Sequence, residues 1–254
     1  MNSKLSLVLA AIPCLALAAD DWPDFDRPGI LFAPSVLPVR VWSIELGLPD
    51  VSRTSQHSSR IIDAELHTML RYGVLEHWEL QLELAPFSRR HTRVNGDTTK
   101  QSGYSDARLG SRYDLSDIMS GWFMADAVAI QAGIQLKTGH RDFTESSHEI
   151  DLGIVLSWDL GYDGHAVDVM AQGFRASDDT SWFFATTYGA PLNQSVSAFV
   201  ETGIWLGDAD GSVIGGGFVW RPSVQMQLDS YVLQRLSGDV ADTQWGLGFS
   251  WMFF

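Results

Sequence analysis

The feature that most limits how this chain can fold is a strict alternation of apolar and polar residues. In HWELQLEL, residues 77–84, a tryptophan and three leucines alternate with two glutamates and a glutamine. Successive side chains of a strand point to opposite faces, so one face here is apolar and the other is polar and acidic. A soluble sheet buries the apolar face, whereas a membrane barrel turns it to the lipid and lines its lumen with the polar face.

The same alternation recurs along the chain, and no segment shows a sustained helical period, which predicts an all-β protein. Further examples are IDAELHTMLRY (62–72), SDARLGSRYDL (105–115), VAIQAGIQLK (128–137), EIDLGIVLSWDL (149–160) and VQMQLD (224–229). We predict about twelve strands, an even number typical of bacterial outer-membrane barrels. Their expected ranges are 40–48, 62–72, 77–87, 103–115, 121–138, 147–160, 165–176, 180–190, 193–206, 212–220, 223–235 and 240–254.

The connections and the tryptophans indicate on which side the water lies. Connections after odd-numbered predicted strands are long and polar, such as PDVSRTSQHSSR and SRRHTRVNGDTTKQS, whereas those after even-numbered strands are short. Many of the ten tryptophans stand near predicted strand ends, where barrels carry aromatic girdles. They are Trp42, Trp78, Trp122, Trp158, Trp182, Trp205, Trp220, Trp245 and Trp251. Together these features predict a transmembrane antiparallel up-and-down β-barrel with water inside.

The first residues are typical of a cleaved secretory signal peptide over 1–19. A short basic start precedes an apolar run and the small residues Ala16-Leu17-Ala18. Cys14, the only cysteine, falls inside this segment, so the rest of the chain has no thiol for catalysis, disulfides or metal binding. Residues 20–39 are predicted to form an N-terminal periplasmic segment, and residues 40–254 the barrel in the outer membrane of a Gram-negative bacterium.

Net charge limits the class of partner. Removing residues 1–19 leaves 16 basic residues against 31 acidic ones. A strongly acidic exported chain is a poor candidate for binding nucleic acid. The expected partners are outer-membrane lipid, lipopolysaccharide and a small-molecule solute. The stretch SRRHTR, residues 88–93, is basic within this acidic chain and is either a solvated outer loop or a contact to anionic lipopolysaccharide.

The chain ends in QWGLGFSWMFF, an aromatic-terminated strand that resembles the signal by which outer-membrane proteins reach the barrel-assembly machinery. The apolar row runs from Trp245 to Phe253, and Phe254 is one residue out of phase with it. The register of this last strand is therefore left open by the sequence.

Several motifs resemble a known family. They are Asp26-Arg27-Pro28-Gly29, the strand ending Glu45-Leu46-Gly47, Arg71-Tyr72-Gly73 followed by HWELQL, and YSDARLGSRYDL. This pattern is similar to the "MetA-pathway of phenol degradation" transporter family, most specifically in the first half of the chain. The resemblance implies an outer-membrane barrel of roughly twelve strands that passes small molecules, aromatic or hydrophobic ones included. It brings no catalytic residues.

The lumen-lining candidates are the charged residues on the polar faces of the strands. They are Glu45, Asp63, Glu65, Arg71, Glu79, Glu83, Asp106, Arg108, Arg112, Asp151 and Asp229. Two interpretations stay open. The charges line a narrow acidic aqueous path for small solutes, or they pair across strands and plug the lumen of a structural or surface-interaction barrel.

Catalysis is the weaker alternative. An outer-membrane hydrolase would need a nucleophile or an activated water, and no histidine of the chain stands in a recognisable nucleophile motif. His67, close to Glu65 and Arg71, is the candidate base. GDADGS, residues 207–212, begins like a calcium loop but lacks the later glutamate. We therefore expect no enzyme activity, no cofactor and no metal site.

Overall fold

The computed structural model describes residues 23–254 except 57, 163, 178, 208 and 209. The predicted signal peptide lies outside the described residues. In chain order the elements are β1 (Trp42–Gln56), β2 (Ser59–Glu65), β3 (Thr68–Leu75), β4 (Trp78–Leu84), β5 (Ser88–Val94), β6 (Asp97–Gly103), β7 (Ala107–Asp114), α1 (Ser116–Phe123), β8 (Ala127–Leu136), β9 (Glu149–Asp159), β10 (Ala166–Ala176), β11 (Asp179–Pro191), β12 (Val196–Leu206), β13 (Gly211–Ser223), β14 (Met226–Gly238) and β15 (Thr243–Phe253). Within this described part, no helix has the length and apolar character needed to cross a membrane.

Twelve strands form a closed antiparallel barrel, as the alternation predicted. The order is β1, β3, β4 and then β7 to β15, and β15 returns to pair with β1. The closing register sets Trp42 opposite Phe253 and Ile44 opposite Trp251. This register resolves the last strand: its aromatic row faces outward, and Phe254 follows the strand end. Closure leaves no unpaired edge in the lipid, which is the condition for a sheet to span a membrane.

The apolar rows face outward and the polar rows face inward. On β4, Leu80 is 43% exposed, whereas Glu79 is fully buried and Gln81 nearly so. On β9, Leu152 is 63% exposed, whereas Asp151 is buried. Rows of exposed leucines on the outer surface of a closed barrel are stable only in contact with lipid. The barrel therefore belongs to the bacterial outer membrane.

Aromatic side chains mark the two edges of the lipid band. On one pair of strands, Trp78 and Tyr113 lie at the short-turn end, and Phe87 and Tyr104 lie at the other end, about half exposed. In each strand the two aromatic residues stand nine positions apart, which matches the roughly 9–11 residues of a tilted spanning strand. The prediction for Trp205 is wrong, because its ring points into the lumen and stacks on Phe183 with centroids 4.3 Å apart.

Four strand segments continue beyond the aromatic edge as a projecting sheet, which we call the outer sheet. It consists of the end of β1 from Asp50 onward together with β2, β5 and β6. The two long polar stretches predicted as loops are therefore paired strands. Asn95-Gly96, both with positive φ, make the tight hairpin turn that allows this pairing. Long connections face the cell exterior in outer-membrane barrels, which places the outer sheet outside the cell.

A short helix replaces the predicted start of the fifth strand. The sequence predicted a strand over 121–138, but residues Ser116–Phe123 form α1 and the strand β8 begins only at Ala127. The Asp114 carboxylate accepts the Ser116 N–H at 2.8 Å, which caps the first helical turn. Eight residues are too few to show a sustained helical period in the sequence.

Residues 23–41, here called the N-terminal segment, lie inside the barrel except for residues 38–40, which are exposed at its short-turn end. The backbone and side chains of the segment contact inward-facing residues of strands on every side of the lumen. The sequence predicted a periplasmic segment over 20–39. The structure shows that the described part of this range packs in the lumen, and its entry from the periplasmic side stays a prediction.

Candidate functional site

A fully buried ionic network ties the N-terminal segment to the first strands of the barrel. Arg71 Nε donates to Glu79 Oε1 at 2.9 Å, and Arg71 Nη1 donates to Glu45 Oε1 at 3.2 Å. These three side chains are 0% exposed. Arg71 also donates to the backbone carbonyls of Asp24 and Ser35. Buried charges of this kind are tolerated only when each is paired and hydrogen-bonded, which is the case here.

Arg112 on β7 extends the same network. Its Nη2 donates to Asp26 Oδ2 at 2.6 Å and to Gln131 Oε1, and its guanidinium lies 4.9 Å from the centre of the Phe32 ring. Leu37 N–H donates to Glu79 at 2.8 Å. The polar face of the first barrel strands is therefore satisfied by bonds among its own side chains and by bonds to the N-terminal segment.

Arg27 connects the N-terminal segment to the strands on both sides of the barrel closure. It donates to both Asp50 carboxylate oxygens at 2.7 and 3.0 Å, and lies 3.4 Å from Asp229. Its backbone N–H donates to Glu45 at 2.9 Å, and its carbonyl accepts from Gln227. A bidentate arginine–carboxylate pair is a strong and specific contact, so Arg27 orients this end of the segment.

The opposite wall of the lumen is apolar where it meets the segment. Leu31 and Phe32 pack into a cluster with inward-facing residues of β8 to β11. These partners are Ala129, Val155, Met170, Phe183 and Ala185. On β12, the Glu201 carboxylate accepts the Ile30 N–H at 2.9 Å. Its second oxygen is buried without a hydrogen-bond partner among the described residues.

Above the N-terminal segment, toward the outer sheet, lies a cavity of about 1000 Å³, which we call the outer cavity. Residues 26–32 form part of its lining, and the inner face of the outer sheet and residues 142–145 form other parts. The Arg108 side chain lies along one wall of the outer cavity. Its guanidinium donates to Glu83 and, at 2.6 and 2.8 Å, to Asp151. His67 Nε2 stands 3.7 Å from Glu83. No three His, Cys, Asp or Glu side chains of the described residues are arranged to hold a metal ion.

Asp106 organises the connection between β8 and β9, which contributes to the outer cavity. It accepts the Gly139 N–H at 2.6 Å, the Glu145 N–H at 2.8 Å and the Thr144 hydroxyl at 2.9 Å. Three donors thus meet one carboxylate, which holds the connection in place.

The predicted lumen residues fall into two groups. Four of them lie buried against the N-terminal segment or beneath it: Arg71, Glu79, Arg112 and Asp229. The other seven line the outer cavity, and Glu45 among them is also buried against the N-terminal segment through Arg27 and Arg71: Glu45, Asp63, Glu65, Glu83, Asp106, Arg108 and Asp151. Glu79 and Glu83, which the sequence placed side by side on one path, are thus separated, and the N-terminal segment fills the space beside Glu79.

Sequence reasoning missed the residues of the N-terminal segment itself. Asp26 and Arg27 entered only through the family resemblance, and Asp50 was assigned to a loop. Residues 23–41 have no periodicity that indicates what they touch. The available signal was their composition, an Asp-Arg pair beside Ile30, Leu31 and Phe32, which is unusual for a segment surrounded by water.

A closed barrel with an apolar outer surface and a polar, partly filled lumen defines a class, that of transmembrane outer-membrane barrels. The family model described as "Putative MetA-pathway of phenol degradation" matches residues 25–253, so the chain belongs to this family. No functionally curated protein matches the chain.

Solved structures share the fold at low identity. An outer membrane channel from Pseudomonas putida F1 is 14% identical with a TM-score of 0.68, over 89% of this chain and 99% of that one. The translocator domain of the autotransporter NalP from Neisseria meningitidis is 12% identical with a TM-score of 0.55, over 85% and 89%. The KdgM porin is 8% identical with a TM-score of 0.52, over 84% and 99%. At these identities the likeness establishes the fold and nothing further.

Proposed function

We propose that the protein is an outer-membrane channel that passes small solutes, including aromatic ones, through an acidic lumen which the N-terminal segment occludes and opens. The observation that carries this proposal is the outer cavity of about 1000 Å³ bounded below by residues 26–32. A cavity of this size admits a small molecule, since typical ligand pockets measure roughly 300–1,000 Å³. The segment is held by non-covalent contacts, so it can be displaced.

The lining of the outer cavity favours cations over anions. Eleven carboxylates but only four arginines line it. Some of the carboxylates are neutralised by Arg27, Arg90 and Arg108, yet an acidic excess remains. Rings of carboxylates are the usual basis of cation preference in pores.

Apolar side chains in the same cavity support passage of aromatic groups. Leu31, Phe32, Met170 and Phe174 all contribute to its lining. An aromatic ring can contact this apolar part while a polar or cationic group remains near the carboxylates. The family description, which refers to phenol degradation, is consistent with such a solute. Two proteins that resemble this chain in fold are named a channel and a porin.

A second candidate function is a sealed barrel that serves as a structural or surface element. It is favoured by the ionic network around Arg71, whose partners Glu45 and Glu79 have no exposure to water. In this alternative the N-terminal segment never leaves the lumen. Outer-membrane hydrolysis has no comparable support, because His67 has carboxylates around it but no nucleophile among the described residues that it contacts.

Flux of two matched aromatic ions through proteoliposomes tests the channel. Phenyltrimethylammonium and benzenesulfonate have similar size and opposite permanent charge, and we expect the cation to pass several-fold faster. Arg27→Gln removes the pairs with Asp50 and Asp229, so it should raise the flux of the cation. Arg175→Gln, an exposed residue at the end of β10, is the control and should behave as the unmodified protein. No flux through any of the three proteins would support the sealed barrel.

A further inference from the structure

The outer sheet has two faces of opposite charge, which follows from its register. The inward positions of one row are Asp50, Glu65, Ser88 and Gly103, and those of the next are Ser52, Asp63, Arg90 and Gln101. Arg90, the basic residue at these positions, is paired with Asp63 at 2.7 Å. The inward face is therefore acidic and continuous with the outer cavity.

The outward face carries basic residues and no acid at its register positions. Its three rows read Val51, Ala64, Arg89 and Ser102, then Arg53, Ile62, His91 and Lys100, then Ser55, Arg60, Arg93 and Thr98. The four arginines and the lysine are exposed. None of the five forms an ion pair with a carboxylate within the part of the chain that the structure describes. We call this surface the basic face.

The basic face contains a repulsive contact that the fold leaves unrelieved. Arg60 and Arg93 stand directly opposite each other on neighbouring antiparallel strands. Side chains at such positions lie about 4.5–5.5 Å apart at Cβ, and like charges there are destabilising. An anion between the two guanidiniums would reverse this effect, since arginine binds phosphate through two parallel hydrogen bonds. The net charge of the whole chain is −14, so this concentration of positive charge is a local feature.

The height of the basic face places it at the lipid head groups. Phe87 and Tyr104, both about half exposed, mark the outer edge of the apolar band. Arg89 follows Phe87 by two residues and Arg93 by six. At about 3.4 Å per residue and a tilt of roughly 40°, they lie about 5 and 15 Å above that edge. The basic face looks away from the lumen and over the surrounding lipid, because Asp63 and Arg90 on the opposite face of the same strands line the outer cavity, whereas Arg60 and Arg93 do not. Arg89, in the row nearest the apolar band, also borders that cavity.

We propose that the basic face of the outer sheet binds the phosphate groups of lipopolysaccharide in the outer leaflet, with Arg60 and Arg93 at its centre. The inference is independent of whether the lumen conducts. Each basic residue close to an anionic membrane surface contributes about 1 kcal/mol, which is a factor of about five in affinity. Removing the opposed pair should therefore weaken binding about 30-fold.

The test compares two double variants with the same change in net charge. Arg60→Gln/Arg93→Gln removes the pair on the basic face, and Arg40→Gln/Arg221→Gln removes two arginines at the short-turn end of the barrel, on the far side of the membrane. Detergent-purified proteins are titrated with a rough lipopolysaccharide that carries both lipid A phosphates, and binding is followed by native mass spectrometry. A heat-dependent shift in gel migration confirms that every variant is folded.

We expect binding to weaken about 30-fold in the basic-face variant, to stay unchanged in the control variant and to weaken with added salt. The same glycolipid without phosphates should bind all three proteins equally weakly. Equal binding by the basic-face variant and the unmodified protein would overturn the proposal, as would tight binding of the dephosphorylated lipid. Inorganic phosphate binding as tightly as the glycolipid would assign the site to a free anion instead.

Discussion

Two sides of the lumen hold the same N-terminal segment by different forces. On the side of β1 to β7, the contacts are buried ion pairs and hydrogen bonds centred on Arg71 and Arg112. On the side of β8 to β11, the contacts are apolar, with Leu31 and Phe32 packed against the wall. The polar side specifies one position of the segment, because each charge has a particular partner, whereas the apolar side supplies attraction without comparable direction.

The polar and apolar sides of the lumen also differ above the membrane. The strands of the polar side extend into the outer sheet, and those of the apolar side end in turns such as the one after Ala176. The outer cavity lies where the two sides meet, so it has one charged wall and one apolar wall. A solute in this cavity contacts both, which is why the proposed function names solutes that have an aromatic and a polar part.

The largest effect should follow from breaking the polar side. Arg71→Ala removes the cation between Glu45 and Glu79 and leaves Glu79 only Arg112 at 3.5 Å, which should lower the free energy of unfolding by about 3–5 kcal/mol. Unfolding in denaturant of the protein reconstituted in lipid measures this. The compensated variant Arg71→Met/Glu79→Gln should recover part of the loss. A stability equal to that of the unmodified protein would mean that water, rather than Arg71, satisfies these carboxylates.

Breaking the apolar side should have a smaller effect, and one confined to the segment. Phe32→Ala removes an almost fully buried ring worth about 1.5–3 kcal/mol, so the population with a displaced segment should rise roughly 10- to 100-fold. Hydrogen exchange at residues 29–33 measures this, while the barrel strands should exchange as before. Val39→Ala, an exposed position of the same segment, is the control. Faster exchange throughout the barrel would show that the segment is part of the cooperative fold.

The smallest effect concerns the connection held by Asp106 at the rim of the cavity. Asp106→Ala removes the acceptor of the Gly139 and Glu145 amides, so these amides should exchange about fivefold faster, equivalent to ~1 kcal/mol. Hydrogen exchange at residues 139 and 145 measures this. Unchanged exchange of the two amides would contradict the assignment.

Much of the barrel was predictable because the facing of a strand residue depends on local backbone geometry alone. The alternation around Leu80 and Glu79 assigned one to lipid and the other to the interior, and the structure confirms it. The count of about twelve strands was right for the same reason. The dipeptide Asn95-Gly96 is also a local signal for a hairpin turn, and it joins two strands of the outer sheet where the sequence analysis expected a loop.

The sequence by itself determined which residues of each strand face outward and which face inward. It thereby determined the apolar outer surface, the polar interior and the membrane class. Tertiary structure alone decided what the interior polar groups meet. Glu79 faces inward in either case, but whether it also meets the Leu37 amide depends on where residues 23–41 lie. That placement rests on contacts such as Arg27 to Asp229, 202 residues apart in the chain. No local period encodes a pairing over such a distance, because it depends on closure of the whole barrel and on the space that closure leaves inside.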